Sequence, residues 1–320
     1  MTTSSPAVDP HAAWPVFDGH VDLVYALQRP AAPGLAAGAF APQRLAAGGV
    51  RVLTSALYCV DSCNGPSAAA HLETLIAADA HWLDGLPLIR TRADLAHCWS
   101  SGGPPGRLRL LENADALLEF GVAAACAAGI ITVGLTHAGR NRLADGNAVT
   151  APGGLTVAGW RLLAELGEAG RVIDVAHLAS PGFWDVVRDY PGPLASTHTG
   201  LRRFCDLPRN LDDDQLAALL GCGGLVGLAF APGLLTRSGA ADLEGVFCQL
   251  DWLVQRYGAE RVGLGSDFGG FDGVCHGLED HGRLPALVAR LQQAGYPATA
   301  IAGIMGENWR RYYAAVLPPR

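Results

Sequence analysis

The sequence reads as an α/β chain closed into a single (β/α)8 barrel. Short apolar runs rich in β-branched residues alternate with longer stretches of helical spacing, the pattern of parallel strands joined by crossover helices. Eight such runs fit into the 320 residues, and several are almost unbroken in apolar character, as strands covered on both faces are. Residues able to bind a cation gather at the ends of these runs. A doubly wound sheet is the runner-up, but no Gly-rich fingerprint follows the first run.

The eight runs are Pro15–His20, Val50–Val60, Arg107–Glu112, Ile130–His137, Arg171–His177, Pro193–His198, Gly224–Phe230 and Arg261–Asp267. Between them, Leu243, Val246, Phe247, Leu250, Leu253, Val254 and Tyr257 keep helical spacing, and Gly258 supplies the stop. Ser180-Pro181 reads as an N-cap followed by Pro in the first turn. Asp212 is placed to cap a helix through Leu220, so the run Asp212-Asp213-Asp214 is a helix start rather than a cation site. Ile301, Ile304, Met305, Trp309 and Tyr312 form a last apolar stripe. The Ala/Gly/Pro-rich stretch from Pro30 to Gly49 is expected to be a surface excursion with a short helix. Residues 1–14 are expected to be a flexible polar segment, and 15–317 one domain.

Composition excludes several functions. With 23 basic and 30 acidic residues the net charge is −7, far from the basic stripe of a nucleic-acid binder. No apolar run approaches a membrane span and no signal sequence leads the chain, so a cytoplasmic, membrane-free protein is expected. Eight Cys are too few for a disulfide scaffold and lack zinc-site spacing, so reduced structural thiols are expected. All 23 basic residues are Arg. Without Lys there is no Schiff base, no P-loop and no carboxylated lysine to bridge two metals; a Glu or Asp must serve there.

The chemistry sits at the predicted strand ends. These are Asp18-Gly19-His20-Val21-Asp22, Glu112, His137, His177, His198 and Asp267. In a barrel the C-terminal strand ends converge on one face. Residues i and i+2 of a strand share a side, so His20 and Asp22 could grip one ion. Imidazoles with carboxylates suit Zn²⁺ or a similar first-row metal. His11, His71, His81, His97, His276 and His281 are read as surface or structural.

In order and spacing, these residues resemble the renal (membrane) dipeptidases and their bacterial relatives, from about Val16 to Val316. The resemblance rests on Asp18-Gly19-His20-Val21-Asp22-Leu23, Leu135-Thr136-His137 with Asn141 and Asp145, and Asp174-Val175-Ala176-His177. It continues in Ser196-Thr197-His198, Pro208-Arg209-Asn210-Leu211, Gly263-Leu264-Gly265-Ser266-Asp267-Phe268 and Gly277-Leu278-Glu279-Asp280. It implies a (β/α)8 fold and hydrolysis of dipeptides or dipeptide-like conjugates, tolerating a D-residue at the C-terminal position, by a metal-bridging hydroxide. It implies two Zn²⁺ per chain: His20 and Asp22 on one, His177 and His198 on the other, Glu112 bridging. His137 matches the residue facing the substrate carbonyl, Arg209 the one meeting its terminal carboxylate, and Asp267 the acid/base. A homodimer is usual where the resemblance holds.

Several positions depart from the family pattern. Asn113 stands where Gly is common, Thr197 and Thr199 where Ser is, and Leu207 where bacterial members often have His. Ala229 and Ala231 replace an Asn and a Tyr, and Gly269 an Asp. The ligand positions are kept while the substrate wall has changed, which points to a bulkier substrate than a plain dipeptide. The competing readings are a metal-dependent amidohydrolase on a non-peptide amide, lactam or ester, and a silent metal-binding scaffold. Retention of both His137 and Asp267 disfavours the scaffold.

Overall fold

The computed structural model describes residues 14–29, 38–238 and 240–320. Eight parallel strands close into a barrel in chain order: β1 (Val16–Val21), β2 (Val50–Tyr58), β3 (Gly106–Glu112), β4 (Ile130–Gly134), β5 (Val172–Asp174), β6 (Leu194–Thr199), β7 (Leu225–Leu228) and β8 (Val262–Leu264). β8 closes the ring by pairing Leu264 with Asp18 of β1. A separate two-residue ribbon joins Ala241–Asp242 to Cys275–His276. Residues 1–13, most of the expected N-terminal segment, and residues 30–37 of the expected excursion lie outside the described residues; Pro42–Ala47 is its short helix.

Each predicted run coincides with a barrel strand, but β2 and β7 stop two residues early and three others stop three residues early. β4 ends at Gly134, β5 at Asp174 and β8 at Leu264, so His137, His177 and Asp267 lie in the loops beyond them rather than on strands. His177 (φ 64°) and Asp267 (φ 63°) have left-handed backbone, which no strand can continue. β1 similarly ends at Val21, and Asp22 starts the next helix, so the two-residue strand alternation expected for His20 and Asp22 does not hold.

The helices follow their sequence signals. Leu243–Tyr257 is one helix, and Gly258 (φ 86°) ends it. Asp212 and Gln215 exchange side-chain and backbone hydrogen bonds in a capping box on Asp213–Gly221. The Ser180 cap is corrected: Ala179 holds the extended N-cap position, and Ser180 and Pro181 lie inside the first turn. The last stripe is broken into Ala298–Ala302, a π turn and Asn308–Val316.

One end of the barrel is plugged. Phe17, Val52, Leu108, Val172 and Leu225, each near the start of its strand, pack with Trp309 and Tyr313 in one buried cluster. The polar residues are left to the C-terminal end.

Closure there depends on Asp18. This buried side chain accepts hydrogen bonds from Ser266 N–H (2.8 Å), Ser266 Oγ (2.5 Å) and His281 Nε2 (2.9 Å), tying β1 to the loop after β8. His281, read as structural, is fully buried in this contact. With the His20 N–H, which donates to Asp18 Oδ1 at 3.3 Å, truncation strands four buried donors, each costing about 1–3 kcal/mol. Asp18→Ala is therefore expected to lower folding stability by about 3 kcal/mol or more in urea denaturation. A loss below about 1 kcal/mol contradicts this role.

Candidate metal centre at the barrel mouth

Barrel closure brings together residues from five strands and their loops. Two overlapping clusters, buried apart from half-buried His177, hold ligand atoms within 4.8 Å of one another: His20, Asp22 and Glu112, and Glu112, His177 and His198. A third grouping of that kind joins His20, His198 and Asp267. Glu112 faces both sides. Its Oε2 lies 3.9 Å from His20 Nε2, and its Oε1 lies 2.9 Å from His177 Nε2 and 3.8 Å from His198 Nε2. Asp22 Oδ2 is 3.5 Å from His20 Nε2.

The imidazole tautomers are set from behind. Thr197, fully buried on β6, gives its hydroxyl proton to Asp174, leaving Oγ1 only acceptor capacity. It accepts from His20 Nδ1 (3.0 Å) and from His198 Nδ1 (3.1 Å). His177 Nδ1 donates to Asn147 Oδ1 (3.2 Å). His177 and His198 therefore turn Nε2 lone pairs inward, and His20 points its Nε2 the same way. Gly227 and Gly265 let neighbouring backbone press against Thr197: a Cβ on either would come within 2.1 Å or 1.8 Å of the Thr197 carbonyl oxygen.

The donor set fits a divalent cation. His177 Nε2 and His198 Nε2 are 3.0 Å apart with lone pairs converging, an arrangement that repels unless positive charge lies against both. His20 Nε2 is buried with no hydrogen-bond partner. Nitrogen and carboxylate oxygen donors suit zinc and similar metals.

Electrostatics divides the acids. Burial alone raises a carboxyl pKa, yet His177, His20 and His137 hold Glu112 well below its ordinary value. Asp267, buried beside Asp22, is pushed well above the usual carboxylate range. Burial, with Arg209 beside it, lowers His177 to about 3, and burial with His20 lowers His198 strongly, so both rings are neutral. For His20 burial opposes protonation, but Asp22, Glu112 and Asp267 outweigh it and raise the pKa to about 9.

Arg209 reaches the edge of this cluster. Its Nη2 donates to the His198 carbonyl (3.0 Å) and to His177 Nε2 (3.2 Å), while Nη1 is buried with no partner. The His137 ring lies beside His177, centroids 4.5 Å apart. All eight residues singled out in the sequence thus lie around the barrel mouth. Sequence reasoning missed those behind them: Asp174, Asn147, Thr197 as a hydrogen-bond hub, and Asp61, which pairs with His137. Asn113 has φ 73°, a left-handed position open to Gly and tolerated by Asn, which explains that departure.

A parallel barrel with a nitrogen and oxygen metal-donor set at its mouth is the frame of a metal-dependent hydrolase. Residues 7–316 match the membrane dipeptidase family, peptidase family M19, and the chain belongs to that family of metal-dependent peptide-bond hydrolases. An uncharacterized protein from the pqqA 5′ region of Klebsiella pneumoniae is 32% identical over 229 residues, 68% of this chain and 80% of that protein. Dipeptidase aclJ of Aspergillus oryzae is 29% identical over 237 residues, 71% of this chain; the match spans 56% of the Aspergillus protein's length. A Rhodobacter sphaeroides metallopeptidase, solved with a phosphinate mimic of the dipeptide L-Ala-D-Ala, superposes with a TM-score of 0.85 at 26% identity, covering 96% of this chain and all of that one. No helix among the described residues is long and apolar enough to cross a membrane.

Thr197→Val leaves both imidazole Nδ1 atoms without their acceptor. Zinc affinity, measured by competition with a chromophoric chelator, is expected to fall about 10- to 100-fold. Unchanged affinity contradicts the tautomer assignment.

Proposed function

We propose that the chain is a binuclear zinc dipeptidase acting on dipeptides or dipeptide-like conjugates, with a D-residue accepted at the C-terminal position. The observation that carries this reading is Glu112 presenting one oxygen to His20 and the other to His177 and His198. In this reading His20 and Asp22 would hold one ion and His177 and His198 the second, with Glu112 available to both. Bound there, the ions supply a water of lowered pKa and polarise the scissile carbonyl.

The remaining work falls to the chain's own groups. Arg209 Nη1, buried and unpartnered, receives the substrate's terminal carboxylate in a charge-assisted pair, favouring substrates that end one residue past the scissile bond. His137 donates to the carbonyl oxygen as charge develops on it. Asp267, whose carboxylate lies with His20 and His198 at the same centre, takes a proton from the attacking water and returns it to the leaving amine. The phosphinate dipeptide mimic held by the Rhodobacter structure supports a dipeptide substrate with a C-terminal D-residue. Ala229 and Ala231, small residues just beyond β7, support a substrate bulkier than a plain dipeptide.

The test is a panel of L,L- and L,D-dipeptides, bulky conjugates and the corresponding C-terminal amides. Hydrolysis is expected to stop on chelation and return with zinc. Arg209→Met is expected to raise KM for free-acid substrates about 10- to 100-fold, the loss of a hydrogen bond to a charged group, and to leave the amides unaffected. Full activity after chelation, or equal effects on acids and amides, overturns the respective assignment.

A further inference from the structure

His137 sits in a loop three residues beyond the end of β4, where no strand hydrogen bonds fix its side chain. What fixes it comes from another loop. β2 ends at Tyr58, in register with Glu112, and the chain turns through the short helix Asp61–Cys63. That turn brings Asp61 Oδ2 to 3.1 Å from His137 Nδ1 and 3.0 Å from the Gly139 N–H. The Tyr58 ring packs on the imidazole at 4.5 Å between centroids, with its hydroxyl 3.4 Å from the same Nδ1. Asp61 Oδ1 is buried without a partner, so a single carboxylate oxygen grips both the imidazole and the backbone two residues past it.

We propose that Asp61 is a positioning residue for His137: its carboxylate accepts Nδ1–H, locks the ring against Tyr58 and turns Nε2 toward the reacting carbonyl. This rests on His137 facing the substrate carbonyl, as proposed above. An imidazole that must donate at a developing oxyanion gains from a third group that fixes its orientation in advance, since a donor contributes only where the charge will appear. Asp61 also staples the β2 loop to the β4 loop through Gly139, so the position of His137 is shared by two barrel segments. The side-chain hydrogen bonds of Asp61 go to His137 and Gly139 and to none of the residues proposed to hold metal, so measuring bound metal separates its effect from metal loading.

Asp61→Asn keeps the shape and an amide oxygen for Gly139 N–H but loses the charge on the acceptor. Asp61→Ala, His137→Ala and the double variant His137→Ala/Asp61→Asn complete a cycle. For each, kcat, KM, bound metal and thermal midpoint are measured. Both Asp61 variants are expected to lower kcat about 10- to 100-fold, with KM and bound metal within about twofold of wild type. The double variant is expected to be no slower than His137→Ala. Wild-type kcat in Asp61→Asn, or recovery of the Asp61→Ala loss by Asn, overturns the proposal and reduces Asp61 to a packing role. So does an Asp61→Asn effect that persists unchanged in the His137→Ala background. Wild-type kcat in His137→Ala instead overturns the assignment of His137 on which the proposal rests, a result distinct from the others.

Discussion

His177 Nε2 and His198 Nε2 stand 3.0 Å apart with their lone pairs converging, while Glu112 reaches from them across to His20. Left to rotate, these rings would turn away from one another. They are held by what lies behind them: Asn147 takes the Nδ1 proton of His177, and Thr197 takes those of His20 and His198. Thr197 can serve two rings because Asp174 takes its own proton. One threonine on β6 thus couples ligand candidates from β1 and β6, and its hydrogen bonds hold their Nε2 atoms toward one another.

The same barrel mouth gives chemically similar groups different tasks. Glu112 is surrounded by imidazoles and stays ionised, whereas Asp267 is buried beside another carboxylate and holds its proton more tightly. Two carboxyls pushed apart in this way differ in charge state within one site, as the proposed division between a bridging carboxylate and an acid/base group requires. Left-handed backbone at His177 and Asp267 costs on the order of 1–3 kcal/mol each. That cost is offset by neighbouring contacts such as Asp267 N–H to the His20 carbonyl (3.0 Å) and Asn147 N–H to the His177 carbonyl (2.8 Å). Strain of this kind gathers where side-chain direction matters more than local stability.

Much of this was legible in the sequence. The apolar runs marked all eight strands, because buried parallel strands leave a continuous signal. Polar residues at their ends marked the site, because a barrel collects strand ends on one face. The strand ends themselves were misplaced, since periodicity says nothing of where backbone turns left-handed at His177 or Asp267. Asp18 and His281, 263 positions apart, pair across the ring, and nothing local to either signals the other. Asp61 was invisible for the same reason: a lone Asp after a strand reads as a turn residue, and only closure of the barrel brings it to His137.

In the proposed centre Glu112 stands between two metal sites rather than beside one. An anomalous difference map at the zinc edge, from crystals grown with zinc, tests it most directly. Two peaks are predicted per chain, one against His20 and Asp22 and one against His177 and His198, with Glu112 touching both. A single peak, or peaks away from these residues, would contradict it.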